Sequence, residues 1–99
     1  MLFAIVAHDH PNSVDKRMAL RPDHVEHLKA HADKLMVAGP MLDEAGEKPI
    51  GSLLIFDGAD KAEVEAFCAN DPYSKGGLFA SVSIAPWKRV MVDAAIGAE

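Results

Sequence analysis

Residues 50–84 read IGSLLIFDGADKAEVEAFCANDPYSKGGLFASVSI, and the order of signals in this stretch decides the fold. Residues 50–56, IGSLLIF, are a short continuous apolar run and predict a buried strand. Asp60 stands where a helix cap belongs, and Glu63 three positions on completes a capping-box pattern. Val64, Phe67 and Cys68 give the following helix an apolar stripe. Pro72 disfavours helical geometry at Asp71, so the helix ends there. Residues 78–84, LFASVSI, alternate apolar with small or polar side chains, as a half-buried strand does.

The first half of the chain follows the same order. Residues 2–7, LFAIVA, predict a buried strand that Pro11 and Asn12 break. Residues 21–38 predict a helix. Pro22 suits its first turn, where a missing N–H costs nothing, and Asp23 and Glu26 lie near the positive end of its dipole. Val25, Leu28, Ala32, Leu35 and Met36 share one face of it. Residues 13–20, SVDKRMAL, fit either a short extra turn or an extension of that helix. Residues 35–42 contain the helix end and a short strand, punctuated by Gly39-Pro40. Residues 87–92 continue the last strand after Pro86, and the tail 93–99 reads as loose. The order strand, helix, strand, strand, helix, strand is the ferredoxin-like βαββαβ pattern of an α+β fold: an antiparallel four-stranded sheet with two helices on one face. Apolar residues on both faces of LFAIVA and SLLIF call for a cover on the other side of the sheet, and a second copy of the chain is the simplest one.

At 99 residues the chain is long enough for one domain, taken as 1–99. A hydrophobic content of 49% and a charged content of 25% exclude a disordered chain. The net charge of −5 and the lack of a basic cluster argue against nucleic acid as a partner. Cys68, the single cysteine, cannot form an internal disulfide, so a cytoplasmic location is the expectation. MLFAIVAHDH lacks the basic start and apolar length of a signal peptide, and no stretch is long enough to cross a membrane.

The chemistry-bearing residues are mostly histidines. His8 and His10 sit two positions apart after the first strand. His24 and His31 fall two turns apart at the edge of the helix's apolar face, and His27 turns further towards solvent. The i, i+4 spacing of His27 and His31 could place two imidazoles on one ion. HLKAH nevertheless lacks the glutamate of the metalloprotease pattern, and spacing fixes no third ligand, so no metal site is expected. Cys68 lies on an apolar stripe and reads as an inert core thiol. No serine sits in an elbow motif, KGG is too short for a phosphate loop, and no cofactor is expected. General acid–base chemistry by a His–Asp pair remains. Asp71 is a candidate for the carboxylate. An Asp before Pro also caps a short helix beginning at Pro72, and on the local sequence alone capping is the favoured role.

KRMALRPDHVEHL, AGPM, GSLLIF and NDPYSKGGLFASVSIAPWKRV, in that order from about residue 2 to 90, resemble the YciI-like (YCII-related) family. RPDH at 21–24 and DPY at 71–73 are the most specific pieces. The resemblance implies a ferredoxin-like fold of the dimeric α+β barrel type, hence a homodimer, and an active site built from one His and one Asp, here His24 and Asp71. The family is similar in architecture to muconolactone-isomerase-like proteins. Some members are linked to breakdown of chlorinated or hydroxylated aromatics, and most have no assigned reaction. The loop at 43–49 is short here, and His8 and His10 fall outside the pattern. The expected activity is that of a small lyase or isomerase, dehydrochlorinase-like, acting on a hydroxylated or chlorinated aromatic or a similar small anion. His24 would move a proton and Asp71 would orient and charge it. Arg21 would hold an anionic or phenolate oxygen at the pocket mouth, with Asp9, Ser52 and Tyr73 lining the site. The alternative is a non-catalytic ligand-binding or accessory module using the same pocket.

Overall fold

Phe3, Ile5 and Ala7 are buried while Leu2, Ala4 and Val6 between them are only partly so, which is the alternation of a strand with one face on a core. The structure, a computed structural model, describes residues 1–91; the tail expected to be loose at 93–99 lies outside them. Seven elements follow one another: β1 (Leu2–Asp9), α1 (Val14–Ala30), β2 (Leu35–Leu42), β3 (Pro49–Asp57), α2 (Lys61–Ala69), α3 (Pro72–Lys75) and β4 (Phe79–Trp87). The strands form one antiparallel sheet in the order β2-β3-β1-β4. This is the ferredoxin-like arrangement, with α3 added as a single turn. Phe3, Ile5, Leu54 and Phe56 of the sheet pack with Val64 and Phe67 of α2, and Leu28 of α1 joins the same cluster, so both long helices cover one face.

The second half matches the expected elements closely. Asp60 accepts a hydrogen bond from the Glu63 N–H at 2.9 Å. The Glu63 side chain reaches back to the Ala59 N–H at 2.6 Å, one residue before the cap. Strand β4 runs to Trp87 and no further, and it tolerates Pro86 because it is an edge strand with no ladder bond to lose on its free side.

The first half needs correction. The helix expected at 21–38 spans Val14–Ala30, so SVDKRMAL is its opening and Pro22 sits inside it. The first turn closes where the Arg17 N–H bonds to the Ser13 carbonyl at 2.8 Å. Pro22 withholds an N–H from the Met18 carbonyl, but it lies on the exposed side, where water can serve that carbonyl. After Ala30 the chain turns, and Leu35, expected on the helix face, is instead paired with Phe56 in the sheet. Gly39 and Pro40 lie within β2, which is also an edge strand.

The other face of the sheet carries Val6, Leu53 and Ile55 at its centre, with Val37 and Trp87 towards its edges. Val37, Leu53 and Trp87 are 50%, 41% and 38% exposed. Among the described residues, no helix is long and apolar enough to cross a membrane.

Candidate active site

Arg17, Arg21 and His24 stand at i, i+4 and i+7 on α1, one stripe of a helix with 3.6 residues per turn. Two of them, Arg17 and His24, are buried although polar. A helix that buries arginine and histidine must satisfy them with partners from elsewhere in the fold, and those partners define the site.

For His24 the partner is Asp71. Its Oδ1 lies 2.8 Å from His24 Nδ1, and both side chains are buried. The same Oδ1 accepts the Tyr73 N–H at 2.9 Å, so Asp71 also caps α3. Capping and pairing with a histidine, set out above as alternatives, are here performed by one atom. Extended backbone at Asp71 (φ −65°, ψ 127°), the conformation a residue before proline prefers, aims that atom at both donors. Tyr73 then lies parallel on the His24 ring, with centroids 3.8 Å apart and planes 14° from parallel. Asp71 therefore fixes the edge of the imidazole and Tyr73 its plane. A carboxylate at Nδ1 selects the tautomer with hydrogen on Nδ1, which leaves the Nε2 lone pair for a molecule in the adjoining cavity.

For Arg17 the partners are Asp9 and Ser52. Nε donates to Asp9 Oδ2 at 2.8 Å and Nη2 to Asp9 Oδ1 at 3.2 Å, a bidentate pair. Nη2 also donates to Ser52 Oγ at 2.7 Å. The guanidinium sits 4.6 Å from the centre of the Tyr73 ring. Asp9 follows Phe3, Ile5 and Ala7 at the two-residue spacing of one strand face, the face under the helices, and so meets α1; the β1–β4 register shifts just before it, between His8 and Asp9. Burial pushes the Tyr73 phenol above its ordinary value, against the pull of the neighbouring Arg17 and Arg21 charges, so the phenol stays protonated near neutral pH.

A cavity of about 180 Å³ opens between α1 and the β2–β3 hairpin. Arg17, Arg21, His24, Ser52 and Tyr73 give it polar walls, and Met18, Val25, Leu28, Pro40, Pro49 and Leu54 give it apolar ones. Of the residues singled out in the sequence, Arg21, His24, Ser52 and Tyr73 line this cavity. Asp9 and Asp71 stand behind it, acting on Arg17 and His24. Arg17 itself was missed. Its spacing of seven from His24 is the signal that could have found it, but it falls in the segment left open between a turn and a helix.

The remaining histidines lie apart from this cavity. His27 Nε2 donates to the Phe67 carbonyl at 3.0 Å, and His31 Nδ1 donates to the His27 carbonyl at 2.9 Å. The His27 ring stacks on Phe67 with centroids 4.6 Å apart. Burial pushes His27 below the ordinary histidine range, partly offset by its bond to the Phe67 carbonyl. His8 and His10 are exposed. Burial pushes the Cys68 thiol up to about 12, where no useful thiolate forms. Among the described residues, no three His, Cys, Asp or Glu side chains are grouped to hold a metal ion.

The model of the YCII-related domain matches residues 1–88. The protein YciI of Escherichia coli is 33% identical over 97 residues, covering 91% of this chain and 99% of that protein, and an uncharacterised protein of Haemophilus influenzae matches with the same figures. The crystal structure of 5-chloro-2-hydroxyhydroquinone dehydrochlorinase (TftG) from Burkholderia phenoliruptrix, in complex with 2,5-dihydroxybenzoquinone, superposes with a TM-score of 0.86 at 34% identity, covering 90% of this chain and 95% of that one. An antibiotic biosynthesis monooxygenase, at 16% identity and a TM-score of 0.54 over 89% of this chain and 99% of its own, shares the fold.

Proposed function

The chain belongs to the YCII-related domain family, and on that premise we propose that it is a small-molecule enzyme of the lyase or isomerase type, dehydrochlorinase-like, using His24 and Asp71 for general acid–base chemistry. The observation that carries the reading is the buried 2.8 Å pair between His24 Nδ1 and Asp71 Oδ1 on the wall of a cavity. His24 Nε2 takes a proton from the bound compound, and Asp71 stabilises the imidazolium that results. In a lyase, the substrate's electron pair then expels a leaving group such as chloride. In an isomerase, the imidazolium returns the proton at another carbon. No cofactor is needed for either sequence.

The substrate class is a hydroxylated or chlorinated aromatic, or a small anion of similar shape. Support comes from the mix of cationic and apolar walls around about 180 Å³, and from the reaction of the 34%-identical dehydrochlorinase. Arg21, exposed at the cavity, meets the negative oxygen of an incoming molecule, and Ser52 and Tyr73 line its resting place. The protein acts in the cytoplasm as a homodimer, in the manner of a dimeric α+β barrel, with the apolar sheet face around Val37 and Leu53 covered by a second copy.

Chloride release from 5-chloro-2-hydroxyhydroquinone by the purified protein tests the reading. We expect His24→Ala to stay folded and to lose roughly a hundredfold to ten-thousandfold in rate. A folded His24→Ala or Asp71→Ala variant with full turnover would end it. Thermal stabilisation by the compound with no chemical change in it would favour a ligand-binding or accessory module instead.

A further inference from the structure

We propose that Arg17 and Ser52 form a paired donor corner that takes a negatively charged ring oxygen, and that this corner selects oxyanionic ring compounds over neutral ones. The inference rests on the reading of the cavity as a site for a small anionic compound, and it assigns the holding of that oxygen to a pair of residues rather than to Arg21.

A guanidinium carries five N–H bonds. Asp9 and Ser52 engage those on Nε and Nη2. The two N–H bonds of Nη1 are not needed for that clamp. Ser52 Oγ already accepts from Nη2, so the hydroxyl's own hydrogen must turn away from Arg17. Arg17 and Ser52 both line the cavity. The 2.7 Å bond joins Nη2 to Ser52 Oγ, so the Nη1 N–H bonds, which also have the Tyr73 hydroxyl beside them, and the Ser52 O–H stand on either side of one position that an acceptor can take.

The corner is built before any ligand arrives. The Arg17 and Asp9 side chains are only 5% and 4% exposed, so the guanidinium has no rotamer freedom left to lose on binding. Burial also spares its interaction with an anion the screening that water imposes on the exposed Arg21. A buried ion pair contributes little net stability compared with apolar residues of the same size, but it is a direct way to hold a cation rigid at a cavity wall. Leu54, Val25 and Leu28 supply apolar surface for the body of a ring.

The test is equilibrium binding to the full chain of two probes, 2,5-dihydroxybenzoquinone, a dianion at neutral pH, and hydroquinone, which is uncharged there. Two variants are compared with the parent. Ser52→Ala removes one donor. Asp9→Asn combined with Arg17→Gln replaces the buried ion pair by a neutral hydrogen-bonding pair, so no charge is left unpaired. We expect the double variant to lose about tenfold to a hundredfold in affinity for the dianion, and Ser52→Ala about tenfold, with the affinity for hydroquinone nearly unchanged. Parental affinity for the dianion in a folded double variant overturns the proposal. Should the double variant fail to fold, Ser52→Ala decides by the same criterion. If the parent chain itself binds neither probe, the small-anion reading of the cavity falls and this inference with it.

Discussion

Asp71 Oδ1 accepts from a backbone N–H and an imidazole at once, and Tyr73 packs on the ring so held. His27, on the same helix as His24, is put to a different use: its ring covers Phe67 and bonds a carbonyl, and burial favours its neutral form. The sign of the pH effect follows. A histidine whose folded pKa lies below its unfolded value binds fewer protons when folded, so stability rises with pH across the interval between the two. Its contribution is complete above about 6.5, the ordinary value, and is lost as pH falls through the lowered folded value. Thermal melts between pH 7.5 and 5 should therefore show a steeper acid-side decline for the parent chain than for His27→Gln; parallel curves would mean that His27 does not titrate differently on folding. The residue scale also shows what a sequence conceals. Asp71 could be read locally as a cap, because Tyr73 is two positions away. Its other partner is 47 positions upstream, and no local rule reaches that far.

At the scale of the element, legibility followed the source of stability. Strands β1 and β3 and helix α2 owe their burial to apolar runs or stripes, and these could be read directly. Helix α1 buries Arg17 and His24 instead, so its apolar periodicity is weak and does not mark its start at Val14. Strand β2 carries Gly39-Pro40, which punctuates most elements but is harmless on a sheet edge. Between the two central strands, at Gly51, the backbone of β1 leaves no room for a side chain. A Cβ on Gly51 would come 2.4 Å from the Ala7 carbonyl oxygen, a backbone atom that cannot step aside. Gly39 has nothing within 4 Å of such an atom. We predict that Gly51→Ala destabilises by about 1–3 kcal/mol, the usual cost of forced overpacking, while Gly39→Ala is near neutral. Chemical denaturation of the two variants checks this, and equal stabilities would show that β1 and β3 can shift apart at no cost.

At the scale of the molecule, the sheet has one face under helices and a second, apolar face on which, among the described residues, Val37, Leu53 and Trp87 are exposed. The sequence showed the second face through LFAIVA and SLLIF, whose apolar residues occupy both sides of a strand. If a second copy covers it, a charge at its centre should separate the pair. Leu53→Lys is expected to sediment as a monomer at concentrations where the parent chain sediments as a dimer, with the cavity residues untouched. A parent chain that sediments as a monomer at high concentration would count against the homodimer. Strand β2 belongs to both faces: Ala38 and Pro40 form a wall of the cavity, while Val37 projects on the open side. A molecule bound in the cavity and a second copy on the sheet would therefore press on opposite sides of one ribbon of backbone, a single residue thick. Any free energy that passes through that ribbon is owed in both directions, so a ligand that tightens self-association must bind more tightly to the associated form, by the same factor.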